Sequence, residues 1–215
     1  MKKHILVFFS VLILMAIPAR VIYLEELKYS KPTPIPKNYS PILESSHINP
    51  PLPILEVNDK PLFLHFFNPE CSCTKFNTEH FAEIARNFKD RVDFVIIIQD
   101  ESNFKKDFFS KWGLSLPYIK DIGGKIAKAY GVYSTPQAVI LDSNGKLYYR
   151  GNYNRSRFCG LKDSEYARIA LESLIREEKL PSLPSLAKIA YGCELPSKTM
   201  NDKKTKFLDE FFNIY

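Results

Sequence analysis

The sequence has few of the residues that disulfide scaffolds and zinc domains require. Its 215 residues include four cysteines and four histidines, and these form no pairs at zinc-finger spacing. Four cysteines are too few for a small disulfide scaffold, so we expect them to be reactive rather than architectural. The chain also lacks internal repeats and, outside one proline-rich stretch, low-complexity tracts.

Excess positive charge is scarce in most of the chain. The formal net charge is +6, but residues 1–40 contain six basic and two acidic residues. Residues 41–215 therefore carry only a small positive excess, which is too little for phosphate binding, and we predict no nucleic-acid partner. With 45% hydrophobic and 25% charged residues, the chain is neither a disordered tail nor a polytopic membrane protein. It should fold mainly as one domain.

One long apolar run lies near the N-terminus. Residues 5–19 are apolar apart from one serine and follow Lys2 and Lys3, an arrangement typical of an export signal. No small-x-small cleavage site follows, which favours an uncleaved anchor over a cleaved signal. A buried soluble helix would need a polar face, which this segment lacks. We therefore predict a signal anchor or transmembrane helix over 1–30, with the lysines inside and the rest of the chain outside the cytoplasm.

The rest of the chain divides into a spacer, a domain and an extension. Residues 31–53 contain seven of the fifteen prolines and are predicted to form an extended spacer between membrane and domain. The domain is placed at 54–180 and a C-terminal extension at 181–215. Hydrophobic periodicity predicts strands at 61–67, 92–98, 137–141 and 146–150, with helices at 74–88, 103–112, 125–130 and 163–178. This order predicts an α/β sandwich with a parallel core and an antiparallel edge.

The chemistry is expected where the first strand meets its helix. Cys71 and Cys73 lie at this junction, where unpaired helix N–H groups and the positive end of the dipole favour a thiolate. Such a thiolate is suited to disulfide exchange or peroxide reduction. Two apolar core cysteines would fit poorly beside Glu70 and Lys75. A disulfide between Cys71 and Cys73 would close a small, strained ring.

Two separated segments resemble the thioredoxin-like superfamily, specifically the membrane-anchored bacterial redoxins. The first is LHFFNPEC at 64–71, and the second is YGVYSTPQAVILD at 130–142. The resemblance implies a three-layer sandwich with a mixed central sheet and helices on both faces. It also implies that Thr135-Pro136 is a cis peptide lying against the active-site cysteine. An ordinary X–Pro bond is cis in only about one case in twenty, so this expectation rests on the resemblance alone.

The sequence departs from the family at the second cysteine. If Cys71 is the first cysteine of the family motif, Thr74 occupies the position of the second, and Cys73 is an addition between them. His65 takes the place of the buried acid that thioredoxins keep on this strand. It is either a proton relay or a satisfied core histidine.

The remaining cysteines, Cys159 and Cys193, leave alternatives open. Either could resolve a bond made by Cys71, or the two could form a structural disulfide in an exported compartment. The candidate catalytic residues are thus Cys71, Cys73, Thr135, Pro136 and His65.

The leading hypothesis is a thiol–disulfide oxidoreductase without a cofactor, anchored by a single pass in a bacterial inner membrane and facing the periplasm. Cys71 would attack, Cys73 would resolve or pair, and Pro136 would present the substrate backbone. Its partners would be protein thiols and disulfides or a partner redox protein. Three alternatives remain: a thiol peroxidase, a Cu(I) chaperone that holds the metal through Cys71 and Cys73, and a catalytically silent interaction domain.

Overall fold

A computed structural model describes residues 2–48, 59–99, 104–105, 107–155 and 162–195. The chain divides into two compact units, Met1–Pro32 and Thr33–Tyr215. The first contains one helix, α1, at Lys2–Ser30. An 18-residue window within its Lys3–Tyr23 stretch has a mean hydropathy of 2.6, and the stretch is long and apolar enough to cross a membrane. The predicted N-terminal helix is confirmed, and its composition fits an anchor or a signal.

The second unit is a five-stranded sheet with helices on both faces. Its elements, in chain order, are β1 Leu62–Phe67, α2 Ser72–Phe88, β2 Asp93–Gln99, β3 Tyr118–Asp121, α3 Lys125–Ala129, β4 Ser134–Thr135, β5 Gln137–Leu141, β6 Leu147–Gly151, α4 Tyr166–Ile175 and β7 Cys193–Glu194. The sheet order is β3-β2-β1-β5-β6, while β4 and β7 form a separate pair. Strands β1, β2 and β3 are parallel, and β5 and β6 are antiparallel additions.

Strand β1 lies at the centre of the sheet and separates two hydrophobic cores. All six of its residues are buried, because α2 and α4 cover one face and α3 covers the other. Phe63 and Phe67 point into the first core, and Leu64 and Phe66 point into the second. A strand buried on both faces has no solvent-facing positions for polar residues, which explains why its sequence is apolar apart from His65. The predicted thioredoxin-like sandwich is confirmed.

Several predicted elements differ from the observed ones. The helix predicted at 103–112 is, where the structure describes it, a turn followed by a single 3₁₀ turn at Ser110–Trp112. Gly113 follows with a φ of 70° and ends the turn. Strand β3 was not predicted, since it is a four-residue edge strand in which Lys120 and Asp121 obscure the apolar signal.

Segments on both sides of the predicted domain pack against it. Residues 33–48, predicted as part of the spacer, lie within the second unit. The backbone at 45–48 hydrogen-bonds along the exposed edge of β6, with the Ser45 N–H donating to the Leu147 carbonyl at 2.8 Å. Covering a free edge in this way satisfies backbone groups that would otherwise face solvent. On the C-terminal side, Ala187 and Ala190 of the predicted extension are fully buried.

A buried carboxylate fixes the start of α3. Asp121 is 6% exposed and accepts hydrogen bonds from the N–H groups of Ile126 at 2.7 Å and Ala127 at 2.9 Å. These two donors have no partner within the first turn of the helix, so the carboxylate acts as its cap.

We expect Asp121→Ala to lower the free energy of unfolding by about 1–2 kcal/mol, because it leaves two backbone donors without their acceptors. Unfolding of the full chain in detergent can be followed by the fluorescence of its single tryptophan, Trp112. The control is Asp90→Ala, at an exposed turn position, which should change the unfolding free energy by less than about 0.5 kcal/mol. Equal effects of the two substitutions would contradict the capping role.

Candidate functional site

The turn between β1 and α2 places Cys71 at the start of the helix. The Asn68 side-chain oxygen accepts a hydrogen bond from the Glu70 N–H at 2.9 Å, and the Cys71 N–H donates to the Asn68 carbonyl. Cys71 is the N-cap residue of α2, with φ −78° and ψ 124°. Its sulfur therefore lies at the positive end of a 17-residue helix, where a thiolate is stabilised.

Cys71 forms a disulfide with Cys193 of β7, and the two Cα atoms are 6.1 Å apart. Of the pairings that the sequence left open, the structure therefore contains the one between Cys71 and Cys193. In this structure Cys193 is not bonded to Cys159, which lies outside the described residues. Cys71 is 1% exposed, whereas Cys193 is partly exposed. Cys193 is therefore the more exposed residue of the pair.

The second sequence motif lies directly against this disulfide. The Thr135-Pro136 peptide is cis, as predicted. The Cys71 sulfur lies 3.6 Å from the Thr135 carbonyl oxygen. The two segments that carried the resemblance, 64–71 and 130–142, thus meet at one site.

The C-terminal segment Ala190–Leu195, here called the strap, pairs with the strand that precedes the cis proline. Thr135 lies opposite Cys193 in an antiparallel pair, and the Leu195 N–H donates to the Tyr133 carbonyl at 2.9 Å. Gly192 has a φ of 137°, and a Cβ there would lie 2.0 Å from the Thr135 carbonyl oxygen. Only glycine permits this close approach, so the sequence Gly192-Cys193 allows the cysteine to reach Cys71.

Thr33 fixes the strap from the opposite side. Its N–H donates to the Ala190 carbonyl at 2.8 Å, and its hydroxyl lies 3.3 Å from the Gly192 carbonyl oxygen and 2.9 Å from the Ser134 hydroxyl. Thr33 is 4% exposed. The strap is therefore held by Ser134 and Thr135, which precede the cis proline, and by Thr33 at the start of the second unit. Sequence reasoning missed Thr33 and Ser134, since no motif links positions 101 residues apart.

Cys73 and Thr74 lie in the first turn of α2. Both are buried, and Cys73 is not part of the disulfide with Cys193. The Thr74 hydroxyl, at the family's second-cysteine position, has no hydrogen-bond partner among the described residues. The turn of α2 that follows Cys71 thus offers no exposed thiol.

His65 lies in the first core, on the face of β1 covered by α2. Its Nδ1 is 2.7 Å from the Tyr153 hydroxyl, and its ring stacks on Phe81 at a centroid distance of 4.0 Å. Burial lowers the pKa of His65 to about 3, because a charged imidazole would lose its hydration there. His65 is therefore neutral near neutral pH.

The alternative Cu(I) site at Cys71 and Cys73 depends on how the potential metal ligands are arranged. Within the described parts of the chain, no three His, Cys, Asp or Glu side chains are grouped as a metal would require. In this structure the Cys71 sulfur is bonded to Cys193, and His65 contacts Tyr153.

Curated relatives match less than half of the chain. "Thiol-disulfide oxidoreductase ResA" of Bacillus thuringiensis subsp. konkukian is 29% identical over 90 residues, which is 41% of this chain and 52% of that protein. The protein of the same name from Halalkalibacterium halodurans is 23% identical over 94 residues, covering 43% of this chain and 53% of that one. The match thus spans about half the length of these relatives.

Solved structures resemble a larger part of the chain. An uncharacterized conserved protein from Geobacillus kaustophilus has a TM-score of 0.53 and 26% identity, over 64% of this chain and 77% of that one. A hypothetical protein from Sinorhizobium meliloti 1021 has a TM-score of 0.54 and 21% identity, over 65% of this chain and 80% of that one. These likenesses extend beyond the part matched by the curated relatives.

One family model covers most of the second unit. It matches residues 43–194, a range that begins in the N-terminal part of this unit and ends at the second residue of β7. It therefore includes both Cys71 and Cys193. This thioredoxin-like chain belongs to the family described as Domain of unknown function (DUF6436).

Proposed function

We propose that this protein is a thiol–disulfide oxidoreductase whose redox pair is Cys71 and Cys193. The observation that carries the proposal is the disulfide between these residues, at the N-terminus of α2 and beside the Thr135-Pro136 peptide. The curated relatives named thiol-disulfide oxidoreductase support the same activity.

The proposed cycle uses the different surroundings of the two sulfurs. In the reduced chain, the Cys71 thiolate at the helix N-terminus attacks a substrate disulfide, and one substrate sulfur leaves as a thiolate. The Cys193 thiolate then attacks the Cys71 sulfur, which releases the second substrate thiol and forms the Cys71–Cys193 disulfide. The substrate gains two electrons and the cysteine pair loses two. In the opposite direction, the Cys71–Cys193 disulfide oxidises a substrate dithiol, so the partner sets the direction.

Cys193 replaces Cys73 as the resolving residue in this proposal. The resolving sulfur must reach the sulfur of Cys71, and β7 places Cys193 there through its pairing with Thr135. Thr135 and Pro136 provide the backbone surface beside the reacting sulfurs. The proposed cycle assigns no proton-transfer step to His65, since burial lowers its pKa to about 3 and makes the ring a weak proton acceptor.

The proposed location is the outer side of a bacterial inner membrane, with α1 as a single-pass anchor. The Lys3–Tyr23 span and the preceding lysines support this orientation. A periplasmic location would also permit disulfide chemistry, which the cytoplasm disfavours.

We expect Cys193→Ser to stop turnover and to accumulate a mixed disulfide between Cys71 and the substrate, because Cys71 still attacks and nothing resolves the product. Cys71→Ser should lose turnover without accumulating that adduct. The measurement is turnover of a disulfide-containing protein substrate, with adducts mapped by mass spectrometry without reducing agent.

The matched control is Cys73→Ser, which removes a buried thiol from the same helix turn and should retain turnover. If Cys73→Ser instead traps the substrate while Cys193→Ser turns over normally, the redox pair is Cys71 and Cys73, and the proposed pair is wrong.

The neutral state of His65 predicts a specific pH dependence of stability. Its pKa is lowered from 6.5 to about 3 in the folded chain, so below pH 6.5 the unfolded chain binds a proton that the folded chain does not. The unfolding free energy of the wild type should therefore fall faster than that of His65→Gln as the pH drops from 6.5 toward 3, by up to about 1.4 kcal/mol per pH unit.

Urea unfolding followed by Trp112 fluorescence measures this difference. His47→Gln, at an exposed position, is the control for losing a histidine. If the unfolding free energies of the wild type and His65→Gln change in parallel across this pH range, His65 takes up a proton in the folded chain. That result would restore its role as a proton relay.

The proposed orientation predicts the behaviour of a reporter fusion. A reporter that is active only after export, joined after Pro53, should be active, because the apolar helix carries the following residues across the membrane. Deleting residues 5–19 is the control and should abolish reporter activity. An inactive reporter that is expressed at normal levels would contradict the periplasmic location.

A further inference from the structure

We propose that the strap, Ala190–Leu195, is a redox-released cover over the site where a partner polypeptide pairs with Tyr133–Thr135. This rests on the proposed function, because it assumes that the Cys71–Cys193 disulfide is reduced and re-formed. The strap would be closed in the oxidised chain and would open after reduction. It would therefore compete with partners for the surface next to Cys71.

The strap occupies the backbone groups that an extended partner would need. In the oxidised structure the Tyr133 carbonyl accepts the Leu195 N–H, and Ser134 and Thr135 pair with Glu194 and Cys193. An extended polypeptide cannot form an antiparallel pair with the same edge until the strap leaves it. The strap also covers Cys71, which is 1% exposed.

The occupied site indicates which partner would fit. A partner in the register of the strap places a cysteine opposite Thr135, within reach of Cys71. The partner residue that precedes this cysteine would then take the position of Gly192. A Cβ at that position would lie 2.0 Å from the Thr135 carbonyl oxygen. The geometry therefore favours an extended polypeptide with a Gly-Cys pair.

The chain just before the strap is fixed to the sheet and gives the strap a defined base. The Asn152 side chain donates to the carbonyls of Leu186 at 2.7 Å and Ile189 at 2.5 Å. The Asn152 N–H donates to the Ala187 carbonyl. None of these contacts involves Cys193, so reduction leaves the base attached, and movement begins after Ile189.

Three sets of contacts hold the strap closed: the disulfide, the backbone pairing with Tyr133–Thr135, and Thr33. A partner dithiol removes the first. One partner thiolate attacks the sulfur of Cys193, the more exposed residue of the pair, and Cys71 leaves as a thiolate. The second partner thiol then displaces Cys193, the partner leaves as a disulfide, and two electrons have passed to the chain. The backbone pairing with Tyr133–Thr135 remains, as do the contacts of Thr33 to Ala190, Gly192 and Ser134, so their combined strength sets how far the reduced strap opens.

Hydrogen exchange of the full chain in detergent, in oxidised form and after reduction with dithiothreitol, tests the release. We expect exchange in 190–195 to rise at least about tenfold on reduction, because opening is then limited by a few hydrogen bonds. The Asn152 amide, which reports the base, should keep its protection. Unchanged protection of 190–195 in chains shown by mass to have gained two hydrogen atoms would overturn the proposal.

The role of Thr33 is tested in the Cys193→Ser background, in which the covalent link is absent. Adding Thr33→Val removes the hydroxyl contacts at nearly constant volume and should increase exchange of the strap by roughly tenfold. The matched control is Tyr39→Phe, which removes a hydrogen bond from the same N-terminal segment to the Gly131 carbonyl and keeps the ring that packs on Tyr133. Equal exchange of the strap in the Thr33→Val and Tyr39→Phe chains would also overturn the proposal.

Partner competition is measured with the peptide Tyr-Gly-Cys-Glu-Leu, activated as a mixed disulfide with thionitrobenzoate. The reduced Cys193→Ser chain should form an adduct at Cys71, and Thr33→Val should speed its formation by about the same factor as it speeds exchange. Replacing the glycine of the peptide by alanine should slow formation of the adduct. If Thr33→Val raises exchange but leaves the adduct rate unchanged, the strap does not compete with partners.

These readouts separate failure of the cover from failure of the proposed function. If Cys193→Ser turns over substrate normally, the proposed redox pair is wrong, whatever the strap does. If the pair turns over but the strap stays protected after reduction, only the cover is wrong.

Discussion

The complete burial of β1 is the constraint on which the site depends. Because both faces of this strand are covered, its position is fixed by packing, and a core strand of this kind has little freedom to shift. The chain leaves the strand through a turn closed by the Asn68 side chain and enters α2 at Cys71. A rigid core thus determines where the Cys71 sulfur lies, and the rest of the site is assembled around it.

The second half of the site comes from segments that are distant in sequence but adjacent in space. Strand β5 pairs with β1, which brings the peptide before Pro136 to the Cys71 sulfur. Strand β7 adds to β4, and Thr33 closes over both. The two strand steps use backbone pairing, so the location of Cys193 follows from the strand arrangement rather than from a local motif.

The sequence predicted the parts of the molecule that local signals determine. The continuous apolar run of β1, the apolar spacing of α2 and the hairpin between β5 and β6 are local patterns, and the structure contains all three. The cis peptide was predicted only through the resemblance to a family. The partner of Cys71 was left open, since the pairing depends on a contact between residues 122 positions apart. The packing of residues 33–48 was not predicted, because prolines usually indicate an extended segment. No local pattern shows that the backbone at 45–48 lies along β6.

The span of the Cys71–Cys193 disulfide gives the redox state a second consequence. Its cysteines are 122 positions apart in sequence, and the segment between them contains all the described helices of the second unit and every described strand of its central sheet except β1. In the chain-entropy description, a crosslink of this span removes about 4–5 kcal/mol of conformational freedom from the unfolded chain. A reduced chain would unfold more often than an oxidised one and would be exposed longer to proteases. Prolonged reduction would then shorten the lifetime of the protein itself, in addition to changing its chemistry.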